Sequence, residues 1–236
     1  LSLGRWSLAK QKKIKESRVE GTVKLCKRLL QLQRPPKVFL SASAMGYYGD
    51  RGGVLLTEES GPGTGFLAQV CLEWEEASNV LTESGIRVVH ARFGIVIGSH
   101  GGILTKLAPL FRCCLGSRLG SGSQWVSWIA LQDLISAIDH AIRSQKIEGA
   151  VNMASPCPVQ QKEFARIVAH YFRRPLFFTI PAWILKKVLG FPAYEMILFS
   201  QKADVRKLLA SGFHHQYSTL QECLSSIEVI ANSFAR

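Results

Sequence analysis

The order of apolar and polar positions along the chain predicts an α/β fold. Apolar residues recur at helical spacing over residues 7–33, where Ser7 can cap the helix. The short apolar run of residues 37–41 is typical of a strand buried in a parallel sheet. A second helix is predicted over 66–84, and a second buried strand over 87–97. Helix, strand, helix and strand in this order indicate right-handed crossovers in a parallel sheet.

Shorter elements are predicted in the rest of the chain, and after Ser155 the pattern becomes wholly helical. The predicted strands are 125–131 and 149–153, and the predicted helices are 103–115, 134–143, 161–171, 184–189, 196–209 and 220–234. We therefore expect a sheet lobe over residues 1–154 and a smaller, helical carboxy-terminal module over 155–236.

Composition narrows the class of protein. Of the 236 residues, 47% are apolar and 19% are charged, which is ordinary for a folded globular chain. The longest apolar stretch, 176–185, is interrupted by Pro181 and is too short to span a bilayer. We expect a soluble, cytoplasmic protein with no membrane partner. The six cysteines form no CxxC pair and the histidines show no zinc spacing, so we expect reduced thiols and no metal site.

The net charge of +12 favours an anionic partner such as nucleic acid, lipid or a phosphorylated metabolite. The cations are densest between Lys10 and Arg34, where they alternate with apolar residues at helical spacing. That pattern also describes the solvated face of a helix, and no nucleic-acid motif with interleaved aromatics accompanies it. We therefore expect no nucleic-acid partner.

Ordered sequence blocks carry a resemblance to a known family. The segment Ser41–Asp50 resembles the strand and loop of extended short-chain dehydrogenases/reductases, where a Ser-rich strand end precedes Tyr-Gly. Further blocks resemble one atypical branch, which is sugar-nucleotide epimerase-like and also labelled cell-division inhibitor. These blocks are Arg5–Trp6, Ser17–Val19, Trp74–Glu75, Arg92–Gly98, Gly101–Gly102, Pro109–Gly116, Gly120–Gln124, Trp128–Ile129, Asn152–Pro156, Ser200–Lys202 and Ala210–Phe213.

The resemblance implies the carboxy-terminal part of a Rossmann-like, doubly wound parallel sheet, with a small, mostly helical lobe after it. Residues 99–123 would form a substrate-side insertion. The implied cofactor is NADP or NAD, and the implied substrate is a small molecule similar to a nucleotide-sugar.

The same resemblance assigns roles to individual residues. Ser43 falls where the family places a catalytic Ser or Thr, and Tyr47 or Tyr48 could assist it from the loop. Arg92, Phe93 and Gly94 fall where the chain passes the nicotinamide, and Gln124 and Trp128 resemble the substrate side. Some of these residues also have a structural interpretation. Ser43 could be a strand-end serine that caps a turn, and the two tyrosines could simply pack. Gln124 could be a surface glutamine and Trp128 a core tryptophan.

Three departures from the family pattern bear on activity. In the family, the Gly-rich phosphate loop would precede residue 1, so we expect this chain to lack the dinucleotide-binding segment and to bind a dinucleotide weakly. We also expect it to associate through an uncovered sheet edge. The helix over 66–75 holds no Tyr-x-x-x-Lys pair. The family's Trp-Ile-His-x-Asp-Asp reads Trp128–Asp133 with the His and one Asp replaced.

Two functions remain open on these grounds. The first is an NAD(P)-dependent epimerase or reductase acting on a nucleotide-sugar-like substrate, inactive as the chain stands. The second is a non-catalytic family remnant that acts as an interaction protein or is a decaying gene product.

Overall fold

The computed structural model describes residues 7–99, 101–189 and 191–233. The resemblance block Arg5–Trp6 and the predicted helix end at Phe234 lie outside these ranges. The helices are α1 (Leu8–Leu30), α2 (Phe66–Glu76), α3 (Asn79–Glu83), α4 (Gly102–Arg112), α5 (Leu131–Arg143), α6 (Gln161–Tyr171), α7 (Ala182–Leu189), α8 (Phe191–Leu198), α9 (Arg206–Ala210) and α10 (Leu220–Ser233). The strands are β1 (Val38–Ala44), β2 (Leu55–Leu56), β3 (Arg87–Phe93), β4 (Ile95–Gly98), β5 (Ser117–Leu119), β6 (Trp125–Val126), β7 (Trp128–Ala130), β8 (Gly149–Met153), β9 (Val159–Gln160), β10 (Phe178–Ile180) and β11 (Lys202–Ala203).

A parallel three-stranded sheet of order β1-β3-β8 forms the centre of the first lobe. Its strands carry the predicted apolar runs, and helices cover both faces. This parallel sheet with its helices confirms the predicted α/β fold class. Four two-stranded pairs surround the sheet: β4 with β7, β2 with β11, β5 with β10, and the antiparallel pair of β6 and β9.

The first helix begins and ends where the sequence pattern indicates. The Ser7 side chain accepts a hydrogen bond from the Lys10 backbone N–H, which satisfies one of the free donors of the first turn. Lys27 and Arg28 lie in the last turn, where cations interact favourably with the helix dipole.

Three elements predicted as continuous are interrupted. The strand predicted over 125–131 divides at Ser127 into β6 and β7, and α5 already begins at Leu131. The helix predicted over 66–84 divides at Ser78, whose hydroxyl donates to the Glu75 carbonyl and contacts the His90 ring. The strand predicted over 87–97 divides at Gly94, where the chain leaves β8 and begins to pair with β7.

The prediction of a wholly helical segment after residue 155 is wrong, because three short strands, β9, β10 and β11, occur there. The helix predicted over 196–209 is also wrong: α8 ends at Leu198, and residues 199–205 include β11. These residues form hydrogen bonds with loops of the first lobe instead of with one another. The domain boundary at residue 154 stays a prediction.

Two large apolar clusters organise the core. In the first lobe, strand residues such as Val89 and Val151 pack against Ala137 of α5, and Leu208 and Phe213 join them from the carboxy-terminal segment. The second cluster joins α4, α6 and α10. No helix among the described residues is long and apolar enough to cross a membrane.

Candidate functional site

A cavity of about 340 Å³ lies at the carboxyl ends of β1 and β3. Ser43 and Ala44 line it from β1, and Phe93 and Gly94 from the end of β3. Met45 follows β1, Trp125 begins β6, and Gln201 precedes β11. In open α/β sheets, ligands bind outside the carboxyl ends of the strands, so this is the expected position of a site. The structure thus brings together three residues predicted from the sequence: Ser43, Phe93 and Gly94.

The hydroxyl of Ser43 forms a hydrogen bond within the protein. It donates to Oε1 of Glu75 over 2.6 Å, and the side chain is only 3% exposed. An ionised carboxylate accepts hydrogen bonds and a serine hydroxyl carries one proton, so that proton is directed towards Glu75. The lone pairs of Ser43 remain for a ligand. The predicted role of Ser43 as a donor to a reacting oxygen does not fit this arrangement, whereas a role as an acceptor does.

Glu75 is held by a buried ion pair with Arg92. Nε and Nη2 of Arg92 donate to the two carboxylate oxygens over 2.8 and 2.7 Å. Burial by itself lowers the pKa of Arg92, but the hydrogen bonds and charge of Glu75 outweigh it and raise that pKa above its ordinary value. Arg92 is not among the residues that line the cavity. Its predicted contact with a cofactor stays a prediction, which these contacts do not favour.

The two tyrosines of the loop pack beneath the site. Tyr48 is fully buried; its hydroxyl donates to Oδ1 of Asn152 over 2.7 Å and accepts from Nη1 of Arg92 over 2.9 Å. Burial raises the pKa of Tyr48 to about 12, so it keeps its proton near neutral pH. The ring of Tyr47 lies 3.5 Å from the Arg92 guanidinium carbon. Neither tyrosine is among the residues that line the cavity, and this placement favours packing over the predicted catalytic role.

His90 completes the buried polar group. Its Nε2 lies 2.9 Å from the Ser78 hydroxyl, and its Nδ1 lies 4.0 Å from Glu75. Burial lowers the pKa of His90, although the charge of Glu75 opposes the shift. The imidazole is therefore neutral near neutral pH, and the ionic pair of the group is Glu75 with Arg92.

Gly94 lies in the cavity wall, and tight packing against a neighbouring backbone explains why this residue is a glycine. A Cβ at Gly94 would lie 2.9 Å from the Ser127 carbonyl oxygen and 3.1 Å from the Trp128 backbone nitrogen. The chain can turn from β3 to β4 here because glycine lets two backbones approach closely.

A second cavity, of about 490 Å³, adjoins the first, and Trp125 lines both. Gln124 lines it, as predicted for the substrate side, although its Nε2 also donates to the Leu119 carbonyl. Trp128 lines neither cavity. Its ring is fully buried in the core and its N–H donates to the Cys157 carbonyl, which argues against the predicted substrate contact.

Sequence reasoning missed the segment that joins the two cavities. Ser200 contacts Gly52 and accepts from the Trp125 backbone N–H, while the backbone N–H of Gln201 donates to the Trp125 carbonyl. Gln201 also donates to the Gly49 carbonyl through Nε2. The block Ser200–Lys202 stood out in the resemblance, but its helical spacing concealed a connecting role.

Two family models match different parts of the chain. Residues 1–154 match the NAD dependent epimerase/dehydratase family, and residues 180–227 match a domain of unknown function, DUF1731. The chain is 36% identical to epimerase family protein ML0860 of Mycobacterium leprae, covering 94% of this chain and 71% of that protein. It is 34% identical to epimerase family protein YfhF of Bacillus subtilis, covering 95% and 74%.

Two solved structures are also similar. Human epimerase family protein SDR39U1, solved with NADPH, has a TM-score of 0.89 at 29% identity and covers 94% of this chain and 76% of that one. The nucleoside-diphosphate sugar epimerase of Corynebacterium glutamicum has a TM-score of 0.77 at 31% identity and covers 95% and 44%.

Proposed function

Because the chain belongs to the NAD dependent epimerase/dehydratase family, we propose that it is built for NAD(P)-dependent redox chemistry at a hydroxyl-bearing carbon. The nicotinamide end of NADP(H) or NAD(H) would occupy the first cavity. The substrate, similar to a nucleotide-sugar, would extend towards the second. The observation that carries the proposal is the cavity at the carboxyl ends of β1 and β3, with Ser43 and Phe93 in its wall.

The walls of the first cavity fit the ring end of such a cofactor. Met45, Phe93, Ile95 and Val126 offer apolar surface to a flat ring, and Gln201 offers a polar group at the edge. A bound nicotinamide would supply the hydride acceptor or donor. The similar human structure contains NADPH, which supports the choice of cofactor class.

Ser43 would orient the substrate by accepting a hydrogen bond. Its own proton is held by Glu75, so its lone pairs favour a ligand that donates, such as the hydroxyl of an alcohol. Arg92 holds Glu75 in place, and Tyr48 hydrogen bonds to Arg92 from the other side. The buried group would thus hold Oγ of Ser43 where it can accept a hydrogen bond from the hydroxyl on the reacting carbon.

The second cavity suits the remainder of a polar substrate. Serine hydroxyls, the Gln124 amide and the Asp50 carboxylate line it beside the ring of Trp125. Since Trp125 lines both cavities, the two parts of one ligand would lie on either side of its ring. The name of the similar C. glutamicum protein, a nucleoside-diphosphate sugar epimerase, supports a nucleotide-sugar substrate.

A non-catalytic role is the second candidate. It is favoured by α2, which contains neither Tyr nor Lys, so the usual proton-exchanging pair has no counterpart there. In that case the family fold would serve binding only.

Saturation-transfer NMR with NADPH tests the cofactor site, because this method detects weak binding. We expect the nicotinamide protons to receive saturation from the chain, and Ile95→Trp, which fills the cavity, to abolish the transfer. Ile135→Trp is the matched control, since Ile135 lies on α5 outside both cavities. No transfer to the nicotinamide, or equal loss in both variants, would contradict the proposal.

Measuring turnover of a nucleotide-sugar distinguishes the catalytic function from the non-catalytic one. The chain is incubated with NADP⁺ or NAD⁺ and UDP-glucose, and the sugar products are separated by chromatography. Epimer formation that Ser43→Ala suppresses supports catalysis. Cofactor binding without any change to the sugar favours the non-catalytic role.

A further inference from the structure

One face of the carboxy-terminal lobe combines exposed aromatic residues with basic ones. Phe177 and Trp183 are 73% and 66% exposed, and Phe178 and Val188 are also more than half exposed. Exposed Arg173 and Arg174 precede these residues, and exposed Lys186 and Lys187 lie among them. We call the exposed residues of segment 173–188 the basic aromatic face.

These residues lie close together along the chain. Phe178 begins β10, and Pro181 alone separates this strand from α7. On α7, Lys186 and Lys187 follow Trp183 by three and four residues, a spacing that places all three on the same side of a helix. Strand β10 pairs with β5, and Nε of Arg174 donates to the Arg112 carbonyl, so exposed Arg112 and Leu115 continue the surface.

The two segments that form this surface are rich in basic residues. The sequence contains no Asp or Glu from residue 84 to residue 132 or from 164 to 194, the two segments that meet here. The basic aromatic face therefore carries cations without acidic residues of its own segments between them. Such a potential attracts anions.

We propose that the basic aromatic face docks on a membrane surface rich in anionic lipid. Segments that lie in the headgroup region of a membrane combine Trp and Phe with Lys and Arg. Their rings enter the boundary of the acyl chains, and their cations contact lipid phosphates. A second copy of the chain would bring like charges together. Nucleic acid would use the cations and rings but would leave Val188 and Leu115 exposed. This peripheral contact goes beyond the proposed function and needs no spanning helix. It departs from the expectation of no membrane partner, which rested on the lack of a spanning segment.

Vesicle co-sedimentation of the full chain tests the proposal. The probes are vesicles of phosphatidylcholine alone and vesicles of phosphatidylcholine mixed with phosphatidylglycerol. We expect binding to the mixed vesicles, weakened by salt, and little binding to phosphatidylcholine alone. Lys186→Gln with Lys187→Gln should lower the partition coefficient about fivefold for each charge removed. Trp183→Ser should lower it further.

Matched variants on other surfaces are the controls. Lys24→Gln with Lys27→Gln removes the same charge from exposed positions of α1, and Ile135→Ser removes an exposed apolar side chain from α5. All of these positions are exposed, and circular dichroism establishes that each variant is folded.

Several results would overturn the proposal. They are equal binding to both kinds of vesicle, equal loss in the α1 control, and no vesicle binding at all. Binding of a single-stranded oligonucleotide through Lys186 and Lys187, without vesicle binding, would assign the face to nucleic acid. A dimer that Trp183→Ser dissociates would assign it to a second copy.

Discussion

Glu75 shows how a buried charge can determine what a neighbouring hydroxyl does. In the sequence it is one of several acidic residues near the end of a helix, and only its place in the Trp74–Glu75 block distinguishes it. In the structure it accepts hydrogen bonds from Ser43 and Arg92, which arrive from two neighbouring strands. Helical spacing could not reveal this contact, because it depends on how the helix lies across the sheet. Ser43 could be predicted at the site, but the direction of its hydrogen bond could not.

The Glu75–Arg92 pair should be important for stability. Glu75→Gln leaves the Arg92 guanidinium buried without an anion, so we expect the free energy of unfolding to fall by about 3–5 kcal/mol. Urea denaturation followed by circular dichroism measures the change. The control is Glu163→Gln, which removes an acidic partner of Arg166 at the exposed surface and should change stability little. Similar losses of stability in the two variants would show that the buried pair contributes no more than an exposed pair does.

His90 should make stability depend on pH. Burial lowers its pKa in the folded chain below the ordinary 6.5, so below that pH the unfolded chain binds a proton that the folded chain excludes. Stability is then lost as the pH falls through this region. Burial lowers the pKa of His215 in the same way. We expect urea midpoints of the wild type to decrease from neutral to mildly acid pH, and His90→Gln to flatten that decrease. An unchanged slope in His90→Gln with His215→Gln would contradict this account.

At the scale of elements, Gly94 marks the point at which one predicted strand divides into β3 and β4. The apolar run of residues 87–97 predicts a single buried strand, and composition gives no reason to divide it. The division at Gly94 arises because the backbone there lies against Ser127 and Trp128 of a distant segment. Periodicity within one window contains no information on that approach, although a glycine inside an apolar run is a recognised sign of it.

Two glycine substitutions should therefore have opposite effects. Gly94→Ala places a methyl group against backbone atoms that side-chain rotation cannot move, and we expect a loss of about 1–3 kcal/mol. Gly21→Ala lies on exposed α1 with nothing within 4 Å of the added methyl group, and should stabilise by about 0.5–1 kcal/mol. Thermal melting of both variants measures the difference. A harmless Gly94→Ala would mean that β3 and β4 can shift apart.

The helix predicted over 196–209 failed for a related reason. Its apolar residues do recur at helical spacing, yet residues 200–205 bond to other parts of the chain: Gln201 and Ala203 both hydrogen bond with Ser127, and Asp204 donates its backbone N–H to the Leu56 carbonyl. Tertiary hydrogen bonds outweigh local propensity here. By contrast, α6 and α10 begin at the predicted residues, since each faces a single apolar cluster.

At the scale of the whole molecule, the sequence could establish the class of fold because alternating helices and buried strands allow few arrangements. The family blocks then placed Ser43, Phe93 and Gly94 at one cavity. The second cavity could not be foreseen, since it forms between the loop that holds Gly52 and Gly53, the segment 120–125, and α7 and α8. Contacts between segments so far apart in sequence are set by the completed fold.

The edge of the central sheet gives the last prediction. Among the described residues, β1 pairs with β3 on one side and with no strand on the other. Such an edge can pair with another chain, whereas a net charge of +12 keeps chains apart. We expect sedimentation velocity to show association that grows with protein concentration and with salt, because salt screens the repulsion.

A lysine on this edge should reduce the association, as charged residues do on natural edge strands. Val38→Lys places the charge at the start of β1, where the side chain is half-buried against the first-lobe cluster, so circular dichroism must establish that this variant is folded. Val54→Lys adds the same charge at an exposed loop position that is 61% accessible. Only Val38→Lys should lower the association constant at high salt, since general repulsion rises equally in both variants. A monomer at every concentration and salt level would show that the edge does not pair. Equal effects of the two lysines would show that net charge alone controls association, and that β1 contributes nothing specific.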